Sequence, residues 1–198
     1  MKFGPLNIRY DSSVITPRPW TFAQSAWAAE VAADAPAGTI LELCAGAGHI
    51  GLVLAALSGR SLVQVDVSAS ACRLARANAG DAGLAGRVDV RNRPLSEALH
   101  PAERFPVIVA DPPYIPSVMV GAFDDPVQAI DGGTDGLDVV RSCCGVASRH
   151  LVVGGLFSLQ LRGLAQWEQL APELDSVFTL VAHRGFGPDR AVVHLTRS

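Results

Sequence analysis

A chain of 198 residues, 49% apolar and with a formal net charge of −3, is long enough for one well-packed domain and short for two. The weak acidic balance, with no run of Lys or Arg, disfavours nonspecific attraction to nucleic acid, and Gly, Pro or charge interrupts every apolar stretch before membrane-spanning length. Four cysteines without CxxC spacing and five scattered histidines argue against a metal site or a disulfide framework and for reduced thiols in the cytoplasm.

In chain order, "LNIRY" and "SVIT" read as two short strands turning at Asp11-Ser12, after which "TPRP" breaks the chain. Thr21 is the expected N-cap of an Ala-rich helix over "TFAQSAWAAEVAADA". From there strands and helices alternate. "GTILELCA" is a strand, "GHIGLVLAALSG" a helix, "SLVQVDV" a strand, and the next helix is capped by Ser68. "RVDVRN" is a strand, a short helical piece lies near "SEAL", and "FPVIVAD" is the fourth strand of the series. Residues 112–132 form a loop long enough to be functional. Helix "TDGLDVVRSCCGVASRHL", strand "GGLFSLQL" and helix "AQWEQLAPEL" follow, and "VFTLVAHR" and "RAVVHLTR" are close enough to pair antiparallel. The pattern predicts a single α/β domain over 1–198, with a hairpin and Arg-Pro segment over 1–20 and a catalytic core over 21–198. Its centre is a seven-stranded, mostly parallel sheet covered by helices on both faces. Such sheets bind ligands at the carboxyl ends of their strands, where the strand order reverses.

Four strand ends carry the chemistry. The first runs into "LELCAGAGHIG", where Gly46, Gly48 and Gly51 satisfy G-x-G-x-x-G, the pattern of a dinucleotide turn. A carboxylate immediately ahead of that turn, Glu42, would repel a pyrophosphate and suit a cationic group instead, such as the amino or sulfonium group of S-adenosylmethionine. The second ends at Asp66 and Val67, where an acid can accept both hydroxyls of an adenosine ribose or assist the cap of the helix after Ser68; with the glycine turn in place the ribose is favoured. The third ends "RNRPL", where Asn92 is available to an adenine amino group.

The fourth strand ends in "VIVADPPYIP". Pro112 and Pro113 fix their own φ and bias the residues before them away from helix, so the turn is rigid and Tyr114 projects from it. A planar group bearing NH2 matches this turn: Asp111 and a backbone carbonyl accept its N–H bonds while the Tyr114 ring covers its face, which is a positioning effect. Tyr114 is also placed for a cation–π contact with a sulfonium.

Together these segments resemble the class I S-adenosylmethionine-dependent methyltransferases with a Rossmann-like fold, and within them the HemK-like protein glutamine N5-methyltransferases. "VITPRPWT" looks like that family's Arg-Pro segment, "ELCAGAGHIGL" like its glycine loop, and "VDVSASACRLARANA" like its second strand and helix. "ADPPYIP" resembles its Asn-Pro-Pro-Tyr loop, "AIDGGTDGLDVVR" the stretch that follows, and "GPDRAVVHL" its final strand. The resemblance implies S-adenosylmethionine as cofactor, held by Cys44, Ala45, Gly46, Ala47, Gly48 and Asp66, with Pro94 near Asn92 and Arg93 beside adenine and Thr21 closing over it. It also implies Asp111, Pro112, Pro113 and Tyr114 as the catalytic and substrate-holding turn. The resemblance is expected to stop short of the separate N-terminal helical domain of the bacterial release-factor enzymes, as in short eukaryotic and archaeal relatives, and "NRPL" replaces an acidic segment.

Asp111 stands where the glutamine enzymes have Asn. Asn both accepts and donates, whereas an ionised Asp only accepts, so Asp111 suits an amine, guanidine or aminopurine-like group better than an amide. Acceptors therefore divide into a protein glutamine, from the resemblance, and a small-molecule amine or guanidine, from Asp111. The competing readings are adenine-N6 or guanine-N2 methylation of nucleic acid, a nicotinamide-dependent reductase, and a cofactor-binding subunit without turnover. Asp124 or Asp125 is placed to attract a cationic substrate, Gly132-Gly133 would permit a hinge, and His49 is expected to be structural, with contact to the substrate pocket as the alternative. Trp27 and Trp167 read as core, with Trp20 beside the Arg-Pro segment as the exception. No feature specifies an oligomeric state.

Overall fold

Seven strands form the central sheet of the computed structural model, which describes residues 1–197. After a small hairpin of β1 (Lys2–Phe3) and β2 (Leu6–Asn7), the elements are α1 (Thr21–Ala32), β3 (Ile40–Leu43), α2 (His49–Ser58), β4 (Leu62–Asp66), α3 (Ala69–Asp81) and β5 (Val88–Asn92). The second half contains β6 (Phe105–Ala110), α4 (Val127–Ile130), α5 (Asp138–His150), β7 (Leu151–Leu161), α6 (Leu164–Leu174), β8 (Phe178–Gly185) and β9 (Ala191–Arg197). The sheet order is β5-β4-β3-β6-β7-β9-β8. β5 through β7 run parallel, and β9 pairs antiparallel with both β7 and β8, as the alternating pattern predicts.

The central strands are mostly apolar because both faces are covered. In β3, Ile40 enters the core under α1 and α2 while Leu41 and Leu43 enter the core under α5 and α6. In β6, Val107 and Val109 face the first layer and Ile108 and Ala110 the second. β4 and β5 build outward from one side of β3 and β6 and β7 from the other, so the order reverses between β3 and β6. Leu43 lies opposite Ala110, and the next residues, Cys44 and Asp111, therefore flank the crevice where ligands enter such sheets.

Several local expectations are corrected. The N-terminal hairpin turns at Gly4-Pro5, with Lys2 opposite Asn7 and Gly4 at φ 55°, so "SVIT" is not its second strand. Glycine tolerates that left-handed backbone and proline ends the pairing at once, which places the turn earlier than Asp11-Ser12. The N-cap of α1 is Trp20; Thr21 is the first helical residue, and its hydroxyl donates back to the Arg18 carbonyl at 2.7 Å. Ser68 caps α3 as expected, accepting from the Ala71 N–H at 3.2 Å. The "SEAL" stretch is a set of turns without a helix. Within 112–132 lie a 3-10 turn over Ser117–Ala122 and α4, and an Ile115–Asp131 bridge folds the segment back on its own start. No helix among the described residues is long and apolar enough to cross a membrane.

Candidate active site

A cavity of about 510 Å³ opens at the carboxyl ends of β3, β4, β6 and β7, reaching from Asp66 and Val67 to Asp111 and Tyr114. The turn after β3 forms one wall. Cys44 takes a left-handed backbone at φ 56°, a conformation that costs an L residue energy and is concentrated at functional turns. Its Sγ lies 3.8 Å from that of Cys143 in α5. Gly46 follows at φ 54° with nothing within 4 Å of the place a Cβ would occupy, so its backbone faces the cavity bare. The Gly46 N–H donates to Asp66 Oδ2 at 2.8 Å, and the Ser68 N–H donates to Asp66 Oδ1 at 2.8 Å. Asp66 therefore makes the capping bond and also ties the two turns together. A carboxylate has about four lone-pair sites, so acceptor capacity remains on the cavity side. Burial raises the pKa of Asp66, and the N–H bonds from Gly46, Ser68 and Val67 oppose that rise.

Glu42 does not reach the cavity wall, which corrects the expectation that it meets a cationic cofactor group. It lies behind the turn, 2% exposed, accepting from the Gly51 N–H at 2.9 Å on Oε1 and from Gln64 Nε2 at 2.6 Å on Oε2. Gly51 is the third residue of α2, so Glu42 satisfies one of that helix's free N–H groups from the neighbouring strand. A side chain at Gly51 would collide with the Glu42 carboxyl, which explains the third glycine of the pattern. Burial pushes the Glu42 pKa up to about 7. Gly48, at φ 78°, forms the N-cap of α2 and is likewise packed against Gln64 rather than set on the wall. Ala45 and Ala47 do line the cavity, and Asn78 holds the Ala47 carbonyl at 2.8 Å.

Arg93 lines the cavity with Leu95, whereas Asn92 and Pro94 do not. Asn92 instead donates to the carbonyls of Asp66 and Val67 at 3.1 and 2.8 Å, holding the end of β4. His49 sits on the wall with its ring edge-on to Phe3, and burial lowers its pKa to about 4, so it is a neutral side chain.

Asp111, Pro112, Pro113 and Tyr114 all line the far end of the cavity. Burial, reinforced by the charge of Glu42 and opposed by that of Arg18, pushes the Asp111 pKa up to about 7. Tyr114 Oη accepts from Gln160 Nε2 at 3.1 Å, and burial together with the Asp111 charge holds the phenol well above its ordinary value. Gln166 Nε2 donates to the Tyr114 and Gly136 carbonyls, each at 3.1 Å, and Gln24 Nε2 to the Ala110 carbonyl at 3.2 Å, so the turn is held from both faces of the sheet.

The Arg-Pro segment closes over this end. Arg18 Nη2 meets Asp125 Oδ2 at 2.7 Å, joining it to the segment after the Pro-Pro-Tyr turn. The Asp125 charge is thereby paired internally rather than offered to a cationic substrate. Trp20 and Thr21 also line the cavity, and the Arg190 guanidinium lies 5.4 Å from the Trp20 ring. Gly132-Gly133 is a close-packed turn rather than an open hinge: a Cβ on Gly132 would meet the Gly136 backbone at 2.7 Å. Arg18 of the Arg-Pro segment lines the wall, and Gln160, Arg162 and Arg190 join it without having been expected from the sequence. Gln160 had a usable signal, a long polar residue near the carboxyl end of a mostly apolar strand.

The family model for the Methyltransferase small domain matches residues 25–121. The release factor glutamine methyltransferase of Gloeobacter violaceus is 32% identical over 163 residues, covering 79% of this chain and 57% of the relative. The ribosomal protein uL3 glutamine methyltransferase of Bordetella pertussis is 33% identical over 145 residues, covering 70% of this chain and 48% of the relative. The chain belongs to the HemK-like class I methyltransferases. It spans about half the length of these curated relatives. The fold agrees: the crystal structure of the ribosomal protein L11 methylase from Lactobacillus delbrueckii subsp. bulgaricus superposes with a TM-score of 0.72 at 16% identity, covering 96% of this chain and 85% of that one. In this methyltransferase domain the glycine turn, Asp66 and the Asp-Pro-Pro-Tyr turn thus stand at the successive strand ends of a known cofactor fold.

Proposed function

We propose that this chain is a cytoplasmic enzyme that transfers a methyl group from S-adenosylmethionine to the side-chain amide nitrogen of a protein glutamine. The observation that carries the reading is the single cavity joining the glycine turn and Asp66 to the Asp-Pro-Pro-Tyr turn across the strand reversal. Relatives named for glutamine methylation support the acceptor. A protein rather than a small amine is also supported by apolar surface beside the cavity, where Val118 and Val127 are 90% and 59% exposed on the segment after the turn.

The residues fit the cofactor. Asp66 retains acceptor capacity for the ribose hydroxyls, the bare Gly46 backbone allows close approach, and Val67, Leu95 and Arg93 would enclose the base. When bound, S-adenosylmethionine supplies an electrophilic methyl group on a cationic sulfur. The protein's part is to exclude water, aim the nitrogen and receive a proton. Asp111 in its ionised form accepts an amide N–H and takes the proton that the nitrogen sheds, and a carboxyl held near neutrality is suited to that task.

Calorimetric titration with S-adenosylmethionine, S-adenosylhomocysteine and NADH, followed by methyl transfer to glutamine peptides from a release factor and from uL3, tests the reading. Binding of both sulfur compounds and methylation of a peptide are expected. Tight NADH binding alone, or turnover only on amines or an adenine oligonucleotide, would overturn it. Asp111→Ala should lower turnover by about a hundredfold or more while leaving cofactor affinity nearly intact. In the unmodified enzyme kcat/KM should rise with pH through about 7, as Asp111 ionises, and Asp111→Asn should flatten that rise. A fall through the same range would assign the work to the protonated carboxyl.

A further inference from the structure

The proposed glutamine acceptor leaves a chemical gap at Asp111. A primary amide offers two N–H donors and one carbonyl that needs a donor. An ionised Asp111 satisfies an N–H and repels the carbonyl. A donor must therefore come from elsewhere in the same end of the cavity.

Strand register locates it. Ala110 of β6 lies opposite Leu159 of β7, and both enter the core under α5 and α6. The next residues along each strand, Asp111 and Gln160, are therefore neighbours on the opposite face, toward α1. Both line the cavity, and Gln160 is 1% exposed, which fixes its rotamer. Its amide nitrogen donates to Tyr114 Oη at 3.1 Å. A phenol that already receives a hydrogen bond on oxygen directs its own hydrogen elsewhere. Asp111 lies close enough for its charge to act on the phenol, and Tyr114 keeps its proton because of its burial, reinforced by that charge.

We propose that Tyr114 Oη–H supplies the donor for the substrate amide carbonyl, and that Gln160 is the positioning residue that turns this hydrogen toward the acceptor. Asp111 and Tyr114 then form an acceptor–donor pair that reads a primary amide, as one Asn side chain would do alone. The inference rests on the glutamine reading, and it explains how an Asp can stand in the turn without abolishing amide recognition.

The test compares Tyr114→Phe, Gln160→Leu and Gln160→Glu with the unmodified enzyme on a glutamine peptide, with S-adenosylhomocysteine affinity measured for each variant. Gln160→Glu keeps the shape but can only accept when ionised, so it draws the Tyr114 hydrogen to itself. Tyr114→Phe and Gln160→Glu should each lower kcat/KM on the amide about tenfold or more, with the loss in kcat exceeding any rise in KM, because the carbonyl bond aims the nitrogen. Cofactor affinity should stay within about threefold. In an Asp111→Asn background, where position 111 itself donates, the Gln160→Glu loss should shrink to about threefold or less. Amide activity retained within twofold by both Tyr114→Phe and Gln160→Glu would overturn the inference and leave the glutamine reading standing. An unmodified enzyme that binds cofactor but never methylates an amide would remove both. A Gln160→Glu loss that persists unchanged beside Asp111→Asn would reduce Gln160 to a packing role and defeat the positioning argument.

Discussion

At the cofactor end of the cavity the carboxylates are occupied by the protein itself: Glu42 holds the Gly51 N–H and Gln64, and Asp66 holds Gly46 and Ser68. At the acceptor end, Asp111 has no hydrogen-bond partner among the described residues and feels only the charges of Glu42 and Arg18. On the proposed reading, the first arrangement preorganises a turn for the cofactor. The second leaves hydrogen-bonding capacity unspent until the methyl acceptor arrives. An unpaired polar group in a half-buried site is costly, and it is tolerated where a substrate completes it.

The largest effect should come from the carboxylate sealed behind the cofactor turn. Glu42 has a folded pKa of about 7 against an ordinary value of 4.5, so the folded chain keeps its proton where the unfolded chain has lost it. The unfolded state therefore binds fewer protons between these values, and Glu42's contribution to stability falls as pH rises through that window and levels off above it. Glu42→Gln removes the titration while keeping an acceptor for the Gly51 N–H. Relative to the unmodified protein, the variant should gain on the order of 2–3 kcal/mol of stability between pH 5 and pH 8, read from urea unfolding at the two values. A difference that does not change with pH would show that Glu42 is ionised on both sides of the window. His49 titrates in the opposite sense in both proteins and cancels from the difference.

A second substitution breaks the cofactor end from the cavity side. Asp66→Ala removes the proposed ribose acceptor and should weaken S-adenosylmethionine binding by about 1.5–3 kcal/mol, the range for hydrogen bonds to charged groups. The lost tethers to Gly46 and Ser68 should also lower thermal stability slightly, although the strand itself ends here and the fold should survive. Unchanged affinity in a folded variant would leave Asp66 as a fastener of two turns.

The contrast between the two ends also explains what could be read from the chain alone. The strand ends were legible because a parallel sheet buried on both faces writes its strands as continuous apolar runs, and polar residues stand out where the runs stop. The Gly46, Asp66 and Asp111–Tyr114 positions followed directly. Glu42 is not legible in the same way because it lies inside its strand, and its direction depends on which of two covered faces each residue meets. Leu41 and Leu43 face α5 and α6, which sends Glu42 under α2. Gly51, too close to Glu42 for any side chain, carried that information in a form that only the packed structure interprets. The first hairpin turns at Gly4-Pro5 rather than Asp11-Ser12 because Phe3 pairs with Leu6, a register that the apolar pattern around Asp11 does not reveal. The Arg18–Asp125 pair joins residues 107 positions apart, and no local pattern encodes it.

That pair yields the smallest expected effect and the finest adjustment of the acceptor end. Arg18 is 43% exposed and Asp125 16%, so their contact is worth no more than about 1 kcal/mol to stability, and its loss should leave the fold intact. Its functional trace lies in the titration of Asp111, which the Arg18 charge pulls down against burial and against Glu42. Arg18→Gln removes that pull, so the midpoint of the rise in kcat/KM should move to higher pH. Asp125→Asn frees Arg18 from its partner and should move the midpoint the other way. Each shift should be a few tenths of a pH unit, on the order of 0.5 kcal/mol, and should shrink as salt is added. Opposite shifts from two substitutions on one ion pair are hard to produce by general loosening, which would move both variants in the same direction. Midpoints that shift together would assign the pair to closing the cavity alone, with no electrostatic hold on Asp111.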